Sequence, residues 1–391
     1  KKIKKRNNLF YMHTTNSSKI FQPLLFTHEE FSSCCFTEPT EKELEFKSYL
    51  DFFYGIVPES VKFRKVNRFG RPSYSLFQVL AVWLVKLVYN EKTITNTLET
   101  INGNNNLRTI IGYDDVPSAS VISRRTAQLK TEMNCQNIHD LLCKEFYKDR
   151  IVGNLSIDST VVAAREKPIK NNTKKVKGKR GRKKIGSKEA EDYRLKKKKE
   201  EKNKNFQEKG DIWAYIATFC ILCSITGKKN SKGNMQWTIG YKIHLATDDF
   251  GIPVAYIITG ANIHDTQPAI SLLRLAGMRC VFLYALMDGG YSSIDISDFV
   301  YSMNAIPVID MKADRNGKKV EMDAAKTLRY KARTTVERTN GEMKECFLAN
   351  KLYSRGTRAI FEMELAVLLI TIKKMNKVLC DTAQIQQSKA C

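Results

Sequence analysis

The stretch Val281–Gly290, VFLYALMDGG, decides the fold predicted for this chain. A continuous apolar run from Val281 to Met287 leads directly into the acid Asp288, which two glycines follow. A short apolar run closed by a turn is typical of a central strand that is buried on both faces of its sheet. We therefore expect a buried strand here, with the Asp288 carboxylate at its end.

Segments on both sides of this strand predict a sheet around it. Leu155–Asp158 is a short buried strand that also ends in an acid, and Gly240–Thr247 alternates apolar and polar residues. Asp248–Gly251 predicts a hairpin turn into the strand Ile252–Thr259, and Ala305–Asp310 predicts the last strand. Four helices are predicted in the same region: Gln267–Ala276, Ser293–Met303, Leu328–Cys346 and Phe361–Met375. The order predicts a mixed α/β layer that starts with a hairpin.

The part of the chain before this layer has helical patterns and no β period. Ser75–Asn90 predicts a strongly apolar core helix, Thr93–Ile101 a second helix, and Pro117–Ser120 the start of a third. The third helix carries Arg124 and Arg125 in its first turns. Two interpretations stay open: a recognition helix that enters a DNA groove, or an amphipathic helix with a solvated basic face.

The charge of the chain indicates a polyanionic partner. Its 391 residues include 65 Lys and Arg against 41 Asp and Glu, a formal net charge of +24. Nucleic acid is the first candidate for such a partner, and a basic cytosolic protein unrelated to nucleic acid is the alternative. The insert Lys170–Lys209 holds 18 Lys and Arg against 6 Asp and Glu, which is half of the net charge.

We expect the Lys-rich insert to contact the phosphate backbone of DNA, and a solvated, inert insert is the alternative. Its Arg180-Gly181-Arg182 core is similar to a minor-groove hook, although the proline that follows the second arginine in such hooks is missing. Arg180 and Arg182 are therefore predicted DNA contacts.

The cysteine pattern argues against a structural zinc protein, and the length of the apolar runs argues against a membrane-spanning protein. The 10 cysteines are scattered, and the Cys220–Cys223 pair lies in an apolar run without a second pair to complete a zinc site. We interpret them as reduced thiols of a reducing compartment. The longest apolar runs, Leu76–Tyr89 and Ile212–Ile225, are too short to span a bilayer, so a cytoplasmic protein is expected.

Three acids have positions that suit a metal site. Asp158 and Asp288 end predicted strands, and Glu337 lies on the late helix. Such carboxylates can converge on Mg²⁺, which prefers oxygen ligands and keeps open positions for water. Two ions about 4 Å apart can hold the attacking and leaving oxygens of an in-line phosphoryl displacement. Any one of these acids is weak support, since turns are rich in Asp.

The late helix carries a set of polar side chains on one face. Tyr330, Arg333, Glu337 and Lys344 are 3, 4 and 7 residues apart. At about 100° per residue they fall within an arc of roughly 60°. The alternative is a surface helix with an Arg333–Glu337 ion pair and scattered charges.

Together these residues resemble the signature of bacterial insertion-sequence transposases of the DDE type, in the RNase H-like superfamily. Further similar segments are Ser156–Thr160, Lys228–Asp249, Thr259–Asp265, Leu286–Tyr291 and Arg329–Lys344. Residues 60–128 resemble the helical domain that precedes the catalytic core in these enzymes. Only 49 positions separate Asp288 from Glu337, which leaves no room for the large β-rich insertion of some relatives.

The resemblance implies an RNase H-like α/β fold, a mixed five-stranded sheet with flanking helices, preceded by a small all-α domain. It implies that three acids bind two Mg²⁺ or Mn²⁺ ions: Asp158, Asp288 and Glu337. It implies contacts with transposon-end DNA for Tyr330, Arg333 and Lys344. The pair His264-Asp265 is interpreted as a structural turn, because no further histidine follows at a suitable position.

Four regions and a tail are predicted: a flexible lead-in at 1–40, a helical DNA-binding domain at 41–148, and a catalytic domain at 149–378. The Lys-rich insert occupies about 168–210, and 379–391 form the tail.

The expected function is a transposase that binds terminal inverted repeats, cleaves to a 3′-hydroxyl and transfers the strand. Its partners would be double-stranded DNA of ends and target and a second copy of the chain. A catalytically inactive or domesticated DNA-binding relative and a general nuclease are the alternatives.

Overall fold

The computed structural model of the chain describes residues 38–63, 73–168, 191, 194, 208–219, 221–229, 232–311 and 321–389. The lead-in before residue 38 and most of the Lys-rich insert, with Arg180 and Arg182, lie outside the described residues.

The first half of the described chain is helical. Thr40 caps the N-terminus of the first helix, α1 (Glu41–Ile56). The Thr40 side chain accepts from the Glu43 amide, and the Glu43 carboxylate accepts from the Thr40 amide. Ser75 and Gln78 form the same reciprocal cap at the start of α3. The helices are α1 Glu41–Ile56, α2 Glu59–Lys62, α3 Leu76–Val88, α4 Ile94–Gly103, α5 Asn105–Ile111, α6 Ala119–Glu132 and α7 Cys135–Tyr147.

Helix α3 is the centre of this region, because all of its residues are buried. Its Trp83 ring packs edge-on against Phe361 at 5.7 Å, and its indole N–H donates to Thr126 Oγ1 at 2.9 Å. The strongly apolar sequence of Ser75–Asn90 therefore forms a core helix, as predicted.

The second half of the described chain alternates strands and helices around one sheet. The strands are β1 Ile151–Ala164, β2 Ser224–Lys229, β3 Met235–Thr247, β4 Pro253–Gly260, β5 Val281–Met287, β6 Ile306–Ile309 and β7 Lys351–Leu352. The helices are α8 Ile212–Ala217, α9 Thr266–Gly277, α10 Ile294–Ser302, α11 Ala324–Tyr330, α12 Thr334–Phe347 and α13 Thr357–Lys389, and short 3₁₀ turns occur at Gly289–Tyr291 and Lys331–Arg333.

Strand β1 lies at the centre of a mixed sheet. It pairs antiparallel with β3, which pairs antiparallel with β4, and it pairs parallel with β5, which pairs parallel with β6. These are the five predicted strands, and β2 on β3 and β7 on β1 add two shorter ones. The fold class is confirmed: a mixed α/β sheet with flanking helices, consistent with an RNase H-like fold, behind a helical region.

The two faces of the sheet bury different cores. On β4, Tyr256 and Ile258 pack with α12 and α13, while Ala255 and Ile257 pack with α9. This alternation is expected of a strand that is buried on both faces. The first core also contains α1 and α3, so the helical region and the sheet are packed together across the predicted boundary at residue 148.

The late helix differs from its prediction. A single helix was expected over Leu328–Cys346, but the 3₁₀ turn Lys331–Arg333 separates α11 from α12. The backbone stays right-handed through Tyr330 and Arg333, so the side chains of the two helices keep nearly the same direction. The last helix, α13, is much longer than the predicted Phe361–Met375 and runs through most of the predicted tail.

None of the helices within the described residues combines the length and the apolarity that a membrane crossing requires.

Candidate active site

The parallel pairing of β1 and β5 brings two of the predicted acids to the same edge. Ser156 is paired with Leu286, so Asp158 and Asp288 each lie two residues beyond the last parallel pair. Asp158 does not end its strand as expected, because β1 continues in antiparallel pairing with β3 to Ala163. The parallel pairing of β1 with β5 ends before Asp158, at the Ser156–Leu286 pair.

Asp158 is a carboxylate in an unfavourable environment for charge. Burial raises its pKa to about 6, and repulsion from the Asp288 and Glu337 carboxylates adds to the rise, while Arg333 and the Ser159 amide oppose it. All three predicted acids therefore interact electrostatically at one place.

The guanidinium of Arg333 lies between two of these acids. Its Nη1 is 3.7 Å from Asp158 Oδ1, and its Nη2 donates to Glu337 Oε1. Its Cζ is 5.7 Å from the centre of the Tyr330 ring, which is half-buried. The predicted convergence of Tyr330, Arg333 and Glu337 thus survives the 3₁₀ turn.

Lys344 completes the predicted face of α12. Its ammonium is half-buried, and burial lowers its pKa, although the Asp158 charge acts in the opposite direction. The exposed Lys228 lowers the pKa of Lys344 further. Lys344 therefore stands within electrostatic reach of Asp158 on one side and of Lys228 on the other.

Asn340 is a site residue that the sequence reasoning missed. Its Nδ2 donates to Asp158 Oδ2 at 3.1 Å, and the side chain is buried. The helical spacing contained a signal, since Asn340 lies three residues after Glu337 and seven after Arg333, on the same face. An amide that holds one carboxylate oxygen fixes the direction of the other.

Asp265 supports the neighbouring part of β1. It accepts from Ser159 Oγ at 2.8 Å and from Lys242 Nζ at 2.9 Å, while His264 Nδ1 lies 2.8 Å from Thr266 Oγ1. These contacts fit the interpretation of His264-Asp265 as a structural turn.

The donor set suits a hard cation. Three carboxylates provide the oxygen ligands that Mg²⁺ and Mn²⁺ prefer. Asp288 and Glu337 repel the charge of Asp158, and a bound cation would relieve this repulsion. Across the described part of the chain, no three His, Cys, Asp or Glu side chains stand close enough to hold a metal ion as they are placed. Arg333 provides positive charge between Asp158 and Glu337 in this arrangement.

The two predicted arginines of α6 have different environments. Arg125 donates to the Tyr74 carbonyl at 2.6 Å and to Gln128 Oε1 at 2.9 Å, so it ties α6 to the segment before α3. Arg124 is exposed and lines a cavity of about 290 Å³ together with Lys130 and Arg358. The three side chains donate hydrogen bonds to neutral oxygens, of Ser120, Thr357 and Ser123 respectively. Arg124 is therefore available to bind an anion, whereas Arg125 already donates two hydrogen bonds within the fold.

One of three comparisons with known proteins found a match. A family model described as "Transposase DDE domain" matches residues 154–372, which include most of β1, all of α12 and the three acids. No curated protein matches the chain. No solved structure matches it either.

Proposed function

Because the chain belongs to the Transposase DDE domain family, we propose that it is a DNA transposase that cleaves the ends of a mobile element and joins them to a target. It binds the terminal inverted repeats, hydrolyses a phosphodiester bond to give a 3′-hydroxyl, and uses that hydroxyl for strand transfer. The observation that carries the proposal is the contact of Arg333 with both Asp158 and Glu337, beside Asp288.

Asp158, Asp288 and Glu337 are the proposed ligands of two Mg²⁺ or Mn²⁺ ions. Such ions would supply Lewis-acid stabilisation of the attacking and leaving oxygens. Glu337 has an exposed side chain at the start of α12, so it can exchange the Arg333 guanidinium for another cationic partner without unfolding. Asn340 keeps the Asp158 carboxylate oriented throughout, because its amide is buried behind it.

Arg333, Tyr330 and Lys344 are the proposed contacts with transposon-end DNA near the scissile phosphate. A guanidinium released from Glu337 can bind phosphate oxygens bidentately, and Lys344 acts as a point charge further along α12. The Tyr330 hydroxyl can donate to phosphate or its ring can stack, since the side chain is only partly buried.

The helical region adds a second basic surface to the proposal. Arg124, Lys130 and Arg358 surround one cavity, and cations in such a cluster bind the DNA backbone without reading its sequence. We propose a homodimer on the DNA, because two ends must be cut and joined together. We also propose that the protein is bacterial and cytoplasmic, that it acts at the nucleoid, and that it has no membrane partner.

The test is cleavage of DNA that carries the flanking ends of the source element, with Mg²⁺, Mn²⁺, Ca²⁺ or EDTA. We expect nicking at the element boundary with Mg²⁺ or Mn²⁺ only, and its loss in Asp158→Ala, Asp288→Ala and Glu337→Gln. Glu345→Gln is the matched control, since it removes the same charge from an exposed position of α12.

Each of the other outcomes would contradict a different part of the proposal. Tight binding without any cut indicates an inactive or domesticated relative. Cutting that ignores the end sequence indicates a general nuclease. Wild-type cleavage by Glu337→Gln removes Glu337 from the site.

A further inference from the structure

Strands β2 and β3 form a two-stranded ribbon that extends beyond the rest of the sheet. Residues 224–229 of β2 pair with 235–240 of β3, while β1 pairs with β3 only from Gly240 onward. The ribbon is therefore supported by neighbouring strands at its base alone.

One face of this ribbon is apolar and exposed. Met235, Trp237 and Ile239 alternate along β3 onto the same face, and Ile225 is directly opposite Ile239. Trp237 is 67% exposed and Ile225 46%, so the face is open to solvent. A cluster of large apolar side chains that no other part of the described chain covers indicates a contact surface.

The Trp237 indole packs over Gly227, its partner on the neighbouring strand. The two residues are paired across the ribbon, and a Cβ added at Gly227 would lie 2.9 Å from Trp237 Cζ3 and 2.7 Å from Met235 Cε. The indole therefore occupies the space that a side chain at position 227 would take. Held against the ribbon in this way, it offers its outer side to a partner.

Strand register places this face on the side of the sheet that carries the acids. Leu245 is paired with Asp158, and Trp237 lies eight residues from Leu245, so both point to the same face. At about 3.3 Å per residue, the indole is about 26 Å from the acids along the strand. Lys344 interacts electrostatically with both Asp158 and the ribbon residue Lys228.

We propose that Trp237 is a stacking platform for an unstacked DNA base, on the strand whose scissile phosphate lies at Asp158. The inference rests on the proposed transposase function. A nucleic acid fits better than a protein surface because the cation Lys344 interacts with Asp158, the cation Lys228 lies on the ribbon, and the chain carries a net charge of +24.

The test compares DNA with and without bases. The full chain binds a 16-nucleotide thymidine strand or an abasic strand of the same length, measured by fluorescence anisotropy. We expect Trp237→Ala to weaken binding of the thymidine strand about tenfold and to leave binding of the abasic strand unchanged. Trp237→Phe keeps a ring and should retain most of the affinity.

Two further variants control for folding and for exposed aromatics in general. Gly227→Val displaces the indole from its packed position without removing it, and should weaken thymidine binding like Trp237→Ala. Tyr301→Ala removes a 56% exposed aromatic from α10 and should change neither affinity. Thermal unfolding of each variant shows whether it is folded.

Three outcomes overturn the stacking proposal. Equal loss of affinity for both strands, or no loss for either, excludes a base contact at Trp237. Conversion of a dimer to a monomer by Trp237→Ala, seen by light scattering with DNA affinity intact, makes this face a subunit interface instead. Element-end cleavage by the wild-type chain is measured separately, so failure of stacking is distinguished from failure of the transposase function.

Discussion

Asp248, in the turn between β3 and β4, is a carboxylate with only 3% of its surface exposed. Burial raises its pKa to about 6, although three donors oppose the rise: the amides of Ile252 and Phe250 and the Tyr147 hydroxyl. Asp158 has a pKa of about 6 for the same leading reason. A raised pKa therefore marks burial at both residues and does not by itself identify a catalytic carboxylate.

The Asp248 carboxyl should make the folded state less stable as the pH rises. Because its folded pKa lies above the usual value of 3.8, the folded state binds the proton more tightly than the unfolded state between pH 4 and 6. A shift of this size corresponds to about 3 kcal/mol, lost between those pH values and absent in Asp248→Asn.

Urea unfolding of the wild type and Asp248→Asn from pH 4 to 7 measures this difference. We expect the unfolding free energy of the wild type to fall relative to the variant by about 3 kcal/mol over the range. A constant difference between the two curves would contradict the assigned pKa.

At the scale of elements, the β3–β4 turn and helix α12 are joined at Gly251. The Gly251 backbone has a φ of 78°, and its carbonyl accepts from Thr339 Oγ1 of α12 at 2.8 Å. A Cβ at this position would lie 2.6 Å from that same oxygen. The turn thus requires glycine both for its left-handed backbone and for the close approach of α12.

Gly251→Ala should lower the free energy of unfolding by about 1–3 kcal/mol, because it adds backbone strain and displaces Thr339. Gly341→Ala is the matched control inside α12, where a Cβ has no atom within 4 Å. It should raise stability by up to about 1 kcal/mol through helix propensity. Urea denaturation of both variants measures the two effects, and a change of the same sign in both would refute this account.

Across the whole molecule, a buried ion pair joins the helical region to the last helix, α13, within a shared core. Lys86 of α3 donates to Glu362 of α13, and the two side chains are only 3% and 1% exposed. Residues 276 positions apart in the chain thus share one contact. Such a pair adds little net stability, but removal of one partner leaves an unpaired buried charge.

Lys86→Met should therefore lower the free energy of unfolding by about 3–5 kcal/mol, and the double variant Lys86→Met/Glu362→Leu should recover most of the loss. Lys144→Met breaks a more exposed pair with Asp140 and should cost at most about 1 kcal/mol. Thermal and urea unfolding of the four proteins measure these costs. A double variant as unstable as Lys86→Met would show that packing, rather than charge, is lost.

Patterns in the amino-acid sequence were sufficient to predict the main strands and the fold class. Apolar runs and alternation depend on neighbouring residues, so they predicted the five main strands, the buried helix α3 and the α/β class. Helical spacing likewise placed Tyr330, Arg333, Glu337 and Lys344 on one face, since positions on a helix follow from local geometry.

Only the tertiary structure decided which groups meet. Strand order placed β1 between β3 and β5, and packing of α12 on this sheet brought Asn340 to Asp158. Arg125 of the predicted recognition helix donates to the carbonyl of Tyr74, 51 residues away. These contacts join residues far apart in the chain, and local periodicity carries no information about strand register or about which helix covers which face.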